Sequence, residues 1–379
     1  MLTELPPLGL YIHLPWCERK CPYCDFNSHE AQVIPEQAYI QALLQDLDGE
    51  LARAQGRQLS SLFIGGGTPS LFSAAAIATL MAGISARLPL AKHFEATMEA
   101  NPGSAEADKF AGFRAAGINR LSLGVQSFND AQLQALGRVH SAAQAHAAIA
   151  MAGRAGFDNL NIDLMHGLPG QQSERGLDDI RSALSYQPTH LSWYQLTIEP
   201  NTLFHKRPPT LPVEDTLAAI QEGGEDILVA AGLSAYEVSA WSLPGRECRH
   251  NLNYWSFGDY LAIGAGAHGK ITWPDGRIER YAKRKQPKEY MQAQAGAFTG
   301  SQRWLSAEDL PGEYMMNALR LAEGTELQAF TQRTGLSLET IEAPLAALSQ
   351  RGLIEIVDGK LRCSAVGWRF LDTVVAEFF

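Results

Sequence analysis

Six short apolar runs, each followed by a helix-forming stretch, constrain this chain more than any other feature. They are Leu10–Leu14, Ser61–Ile64, Phe94–Met98, Arg120–Val125, Leu160–Leu164 and His190–Thr197. Their length and content read as strands buried on both faces. Between the first two, Pro35 to Ala54 carries Ile40, Leu43, Leu44, Leu47 and Leu51 at the spacing of one helical face. Further helices are expected over Ala74–Leu88, Ala105–Ala116, Ala142–Arg154 and Gly176–Leu184, several closed by a glycine such as Gly117 or Gly156. Strand–helix order repeated about six times predicts an α/β fold, a parallel sheet with crossover helices forming a partial, about six-fold β/α barrel.

The polar signals fall just past the strands. Cys17 to Cys24 follow the first, Gly65-Gly-Gly-Thr-Pro69 the second, Glu99-Ala-Asn-Pro102 the third and Gln126-Ser-Phe the fourth, with Asp163 near the end of the fifth. Parallel barrels bind ligands at the carboxyl ends of their strands, so these loops should meet at one mouth and make a single active site.

Composition sets the outer limits. A chain of 379 residues, 46% hydrophobic and 19% charged, has the make-up of a soluble globular protein and the length for two or three domains. The expected division is 1–235 for the barrel, 236–300 for an extension and linker, and 301–379 for a C-terminal module. A net charge of −10 excludes a surface built throughout to hold nucleic acid. Met1-Leu-Thr-Glu-Leu-Pro-Pro lacks the basic and apolar regions of a signal peptide, and no apolar run is long enough to cross a bilayer. Five cysteines, three of them crowded together, do not make a disulfide framework, and a cytoplasmic location fits.

The crowded three stand in Cys17-Glu-Arg-Lys-Cys21-Pro-Tyr-Cys24. Thiolates are soft, strong metal ligands, and this spacing lets all three close on one inorganic centre. Four ligands would complete a structural zinc site, for which His29, Asp25, Cys248 or Cys363 could serve as the fourth. Three ligands on an iron–sulfur cluster leave one metal corner open for a substrate or cofactor.

Cys-x-x-x-Cys-x-x-Cys, with an aromatic before the last cysteine, resembles the signature of radical S-adenosylmethionine (SAM) enzymes. The resemblance implies a partial barrel of radical SAM type. It also implies that Cys17, Cys21 and Cys24 hold a [4Fe–4S] cluster whose fourth iron chelates SAM. Gly66, Gly67 and Thr68 then match the loop that holds the SAM amino group. Glu99, Gln126, Arg138 and Asp163 resemble the SAM contacts of the coproporphyrinogen-oxidase branch, with Tyr11 and Tyr23 flanking the same ligand. The implied chemistry is one-electron reduction of the SAM sulfonium, releasing methionine and a 5′-deoxyadenosyl radical. Read alone, the glycines suit a tight turn or a close backbone approach to a ligand. Glu99 could accept hydrogen bonds from ribose hydroxyls.

A second constellation follows the barrel: Tyr236-Glu-Val-Ser239, then Glu247-Cys-Arg-His250-Asn-Leu-Asn-Tyr254-Trp255. Histidine is a natural axial ligand for haem iron, and aromatic faces pack well on a porphyrin. Cys248-Arg-His250 does not match covalent c-type attachment, which needs Cys-x-x-Cys-His. His-Asn-x-x-Tyr-Trp, with Gly258-Asp-Tyr and Gly264-Ala-Gly-Ala-His-Gly269 after it, resembles the HemW family of cluster-bearing haem chaperones. The resemblance covers about Tyr11 to Gly269 and weakens toward the C-terminus. It implies haem as ligand, His250 as an iron ligand, and transfer of haem to acceptors such as respiratory enzymes. Oxygen-independent coproporphyrinogen III oxidation is the alternative activity. Those oxidases carry a further cysteine two residues past the third, where this chain has Phe26, and a longer segment before the motif, where sixteen residues precede Cys17.

In the C-terminal third, the basic stretch Arg277 to Lys288 reads as a solvated helix face, with haem propionates or an anionic membrane surface at the inner membrane face as functional alternatives. Helices over Leu310–Ala322, Leu327–Thr334 and Leu338–Arg351, then a hairpin of Leu353–Val357 and Lys360–Cys363, predict a small winged-helix-like domain. Leu338–Arg351 offers few basic side chains for phosphates, so a cap, a docking surface or a homodimer contact is expected rather than DNA binding.

Overall fold

The computed structural model describes residues 4–104, 107–294 and 296–379. The start of the expected Ala105–Ala116 helix and the Met1-Leu-Thr start lie outside the described residues; the helix is present over Ala107–Ala115.

All six expected strands form: β1 (Leu8–Leu14), β2 (Leu59–Gly66), β3 (Leu90–Ala100), β4 (Arg120–Gln126), β5 (Leu160–His166) and β6 (His190–Gln195). They pair in parallel in chain order, with helices crossing between them. Inward and outward faces are both covered, which is why the runs are apolar throughout rather than alternating.

The sheet is larger than the sequence suggests. After β7 (Ser234–Glu237) and β8 (Ala240–Ser242) extend one edge, β9 (Asp259–Ile263) returns to the opposite side of β1 as a seventh parallel strand. Three antiparallel strands, β10 (His268–Thr272), β11 (Ile278–Lys283) and β12 (Thr299–Trp304), continue outward from it. The twelve strands run edge to edge without closing. β9 escapes a hydropathy reading because it begins with a buried charge: Asp259 is neutralised by Arg57 at 2.7 Å and Lys270 at 2.9 Å.

From Ile278 to Lys283 the basic stretch is likewise a strand, not a solvated helix; a helix begins only at Pro287. In β11, Lys283 is buried and bonds Asp46 at 2.5 Å and Glu50 at 2.6 Å on the Glu36–Ala54 helix. Arg280 pairs with Glu313. These cations are there to neutralise carboxylates that the fold has taken out of water.

The C-terminal helices Asp309–Ala318, Leu327–Thr334 and Glu339–Gln350 and the hairpin β14 (Ile354–Val357) with β15 (Lys360–Cys363) form as expected. A short β13 (Thr325–Glu326) pairs with β15 to give a three-stranded wing.

Candidate functional site

The loops at the ends of β1 to β5 meet in one cavity of about 870 Å³, counting its solvent-open part. Cys17, Cys21 and Cys24 line one wall, on the loop after β1. Gly66, Gly67 and Thr68 line it from the end of β2, Glu99 from β3, Gln126 from β4 and Asp163 from β5. Arg138 and Tyr23 complete it. Tyr11 is the one SAM-assigned residue outside; it lines an adjoining cavity that shares Gly66 and Glu99 as a wall.

The cysteine loop is held by its surroundings. Thr68 donates to Cys17 Sγ at 3.5 Å, Ser28 Oγ lies 3.8 Å from Cys24 Sγ, and Arg138 donates to Cys21 Sγ at 3.7 Å. Burial pushes the Cys17 and Cys24 thiols up in pKa, so a bound metal must supply the charge that keeps them as thiolates. Among the described residues, no three His, Cys, Asp or Glu side chains gather closely enough for a single metal ion. Zinc needs its ligands within about 2.3 Å of one point, whereas a cluster takes each thiolate on a different iron. The fourth zinc ligands considered above also lie elsewhere. His29 and Asp25 line the adjoining cavity, Cys248 is buried against Glu95, and Cys363 sits in the C-terminal core against Leu319 O.

The glycine turn is dictated by close approach of the chain to itself. A Cβ on Gly66, whose φ is +112°, would meet the His13 ring at 2.5 Å, and one on Gly67 would meet Trp16 O at 2.4 Å. The packed loop points its backbone into the cavity. Gly66 N–H donates to Glu99 at 3.2 Å.

Two carboxyls face this space. Burial, with Asp163 nearby, raises Glu99 to about 8. Burial raises Asp163 too, against hydrogen bonds from Asn161 and Ser122 at 2.7 and 3.0 Å. Gln126 is held at φ +69°, a conformation costing a non-glycine residue about 1–3 kcal/mol, and its amide oxygen accepts from Tyr194 at 3.0 Å. Arg138 donates to Gly124 O at 2.8 Å, while its Nε is buried without a partner.

Tyr194, Ser122 and Asn161 were not singled out in the sequence. Tyr194 lies two and four residues from Ser192 and His190 on β6, so strand alternation brings all three to one face. From Asp163 a relay runs through Asn161 to His190 (2.6 Å) and on to the Tyr236 hydroxyl (2.8 Å), joining the second constellation to the first.

His250 lies on the helix Arg249–Trp255, buried among Phe63, Tyr11 and Tyr254, with ring centroids 5.4, 6.5 and 5.1 Å away. Its Nδ1 is 3.1 Å from Ser61 Oγ. Nε2 is buried with no partner among the described residues, and burial lowers the pKa to about 3, so the ring is neutral and one nitrogen is unspent.

Over 359 residues the chain is 52% identical to the "Heme chaperone HemW" of Escherichia coli K12, covering 94% of each. It is 51% identical to the protein of that name from Haemophilus influenzae, again covering 94% of each. The chain belongs to the HemW family. The radical SAM superfamily pattern matches residues 11–183, which hold every residue of the cysteine cavity except Tyr194, and the HemN C-terminal domain matches residues 305–370. Radical SAM character brings a [4Fe–4S] cluster and SAM as cofactors. Among solved structures, the coproporphyrinogen III oxidase HemN of E. coli aligns with a TM-score of 0.82 at 24% identity, over 99% of this chain and 90% of that one. That likeness is one of fold and carries no activity with it. No helix among the described residues is long and apolar enough to cross a membrane.

Proposed function

We propose that this HemW-family protein is a haem chaperone, binding haem through His250 and passing it to haem-requiring acceptors such as respiratory enzymes. The observation that carries the reading is the unspent Nε2 of His250, a neutral imidazole nitrogen without a partner among the described residues, packed against Tyr11 and Tyr254 of the cavity that adjoins the cysteine site. A buried polar atom left unpaired costs about 1–3 kcal/mol, a cost that an iron ligand would remove. Haem fits the donor chemistry, and His250 reaches it once the helix Arg249–Trp255 shifts, because Tyr11 and Tyr254 line the neighbouring cavity and His250 does not.

In this reading Cys17, Cys21 and Cys24 hold the cluster. Gly66, Gly67 and Thr68 offer backbone and hydroxyl to the SAM amino group, and Arg138 its guanidinium to the carboxylate. Glu99 takes the ribose hydroxyls; Gln126, Asp163, Tyr11 and Tyr23 close around the rest. Bound together, cluster and SAM supply one-electron chemistry. The protein's own part is orientation and the exclusion of water.

The test is a haemin titration of anaerobically reconstituted protein. Wild type should develop the spectrum of nitrogen-ligated haem, and His250→Ala should weaken binding roughly tenfold or more. Unaltered affinity and spectrum in the variant would refute His250 as a ligand.

A further inference from the structure

The cavity adjoining the cysteine site, met above as the neighbour of His250, has most of its lining still without a role. It measures about 1210 Å³ with its solvent-open part and shares Phe26, Ser28, Gly66 and Glu99 with the first. Tyr11 and Tyr254, two of the three rings packed on His250, form part of its wall. Lys20 and Lys285 line it as well, with Asp25 as an exposed carboxylate.

In a chain of net charge −10, these lysines lack carboxylate partners within 4 Å among the described residues. Lys20 Nζ spends one donor on Phe26 O at 3.0 Å and keeps the others. Although Asp25 and Glu99 also line the cavity, neither lysine is ion-paired, and two such cations at one cavity suit a dianionic ligand.

Three histidines share the cavity, and hydrogen bonding separates them. His13 is fully engaged, Nδ1 with Tyr11 OH at 3.0 Å and Nε2 with Asn27 O at 2.9 Å. His29 Nε2 lies 3.3 Å from Asn27 Oδ1. His268 is exposed, and neither ring nitrogen has a partner among the described residues. Its backbone is fixed by pairing with Ala282 in β11 and by the Gly264–Ala267 turn.

Flat aromatic walls, a pair of cations and one free imidazole together describe an iron tetrapyrrole bearing carboxylates. We propose that this second cavity is the haem pocket, with His268 as an iron ligand and Lys20 and Lys285 holding the propionates. The inference rests on the haem reading above and places the ligand on the solvent side of Tyr254, next to the cluster site.

The test compares haemin with iron-free protoporphyrin IX on the full-length, anaerobically reconstituted protein. His268→Ala should weaken haemin roughly tenfold and alter its Soret band and electron paramagnetic resonance signal, while protoporphyrin IX binds as to wild type. His268→Cys, which restores a ligand of another kind, should give a third spectrum rather than none. The double variant Lys20→Gln/Lys285→Gln should weaken both ligands about three- to tenfold and flatten the salt dependence. If wild type binds haemin and these variants match it in affinity and spectrum, the pocket assignment is wrong and the haem reading stands. If wild type takes up no haemin, both fall.

Discussion

Glu99 and Asp163 show what single side chains pay for facing the same dry space. Glu99 is raised from its ordinary 4.5 to about 8 by burial and by Asp163. The folded protein therefore holds a proton on Glu99 across that window that the unfolded chain has lost. Stability of the ligand-free protein should fall as pH rises from about 4.5 to 8. Thermal unfolding at several pH values should show that slope in wild type and a flatter one in Glu99→Gln; equal slopes would exclude Glu99 as its source. His250 runs the other way. Its folded value of about 3 lies below the ordinary 6.5, so the unfolded chain binds the extra proton and the protein loses stability as pH falls below about 6.5. The gathering of Cys17, Gly66, Glu99, Gln126 and Asp163 was legible because each sits near the end of an apolar run or just past it. Tyr194, Ser122 and Asn161 were not, because their role comes from register between strands and leaves no local pattern.

At the level of elements, legibility followed charge. β1 to β6 are continuous apolar runs and were read correctly, whereas β9, β10 and β11 bury Asp259, Lys270, Glu279 and Lys283, so that β11 read as a solvated helix face and β9 and β10 were not read as strands. A composition rule scores such residues as exposed, but here each is matched by a partner of opposite charge on another element. Lys283 on β11 is the clearest case, holding two carboxylates of the Glu36–Ala54 helix. Removing one member of a buried ion pair leaves the others uncompensated, at about 3–5 kcal/mol. Lys283→Met should lower stability by that order in denaturant unfolding. Because Lys283 lines neither cavity, iron and sulfide content after reconstitution should match wild type at temperatures where the variant is folded. A loss below about 1 kcal/mol would show that Asp46 and Glu50 are satisfied without it.

Across the whole molecule, the C-terminal module is tied to the segment that carries His250. Phe257, just past the Arg249–Trp255 helix, belongs to the module's core and packs edge-on against Tyr314 at 5.5 Å. Arg320 lies over the Trp255 ring at 4.3 Å and bonds Glu237 at 3.2 Å, and Ala322 N–H donates to Tyr236 O. The winged-helix-like shape was legible from three helices and a hairpin; this docking was not, since its contacts join residues more than fifty positions apart. Both halves of the second constellation, Tyr236-Glu237 and His250 to Trp255, thus share contacts with one module. If haem reaches His250 only when that helix shifts, the module sets how readily it does so. Tyr314→Ala should cost about 3–5 kcal/mol, the usual toll of a large core truncation. Hydrogen exchange should then show lost protection in residues 249–255 beyond that in β1 and β2. Protection falling equally across the molecule would mean that the module stabilises the fold as a whole and exerts no selective hold on the His250 helix.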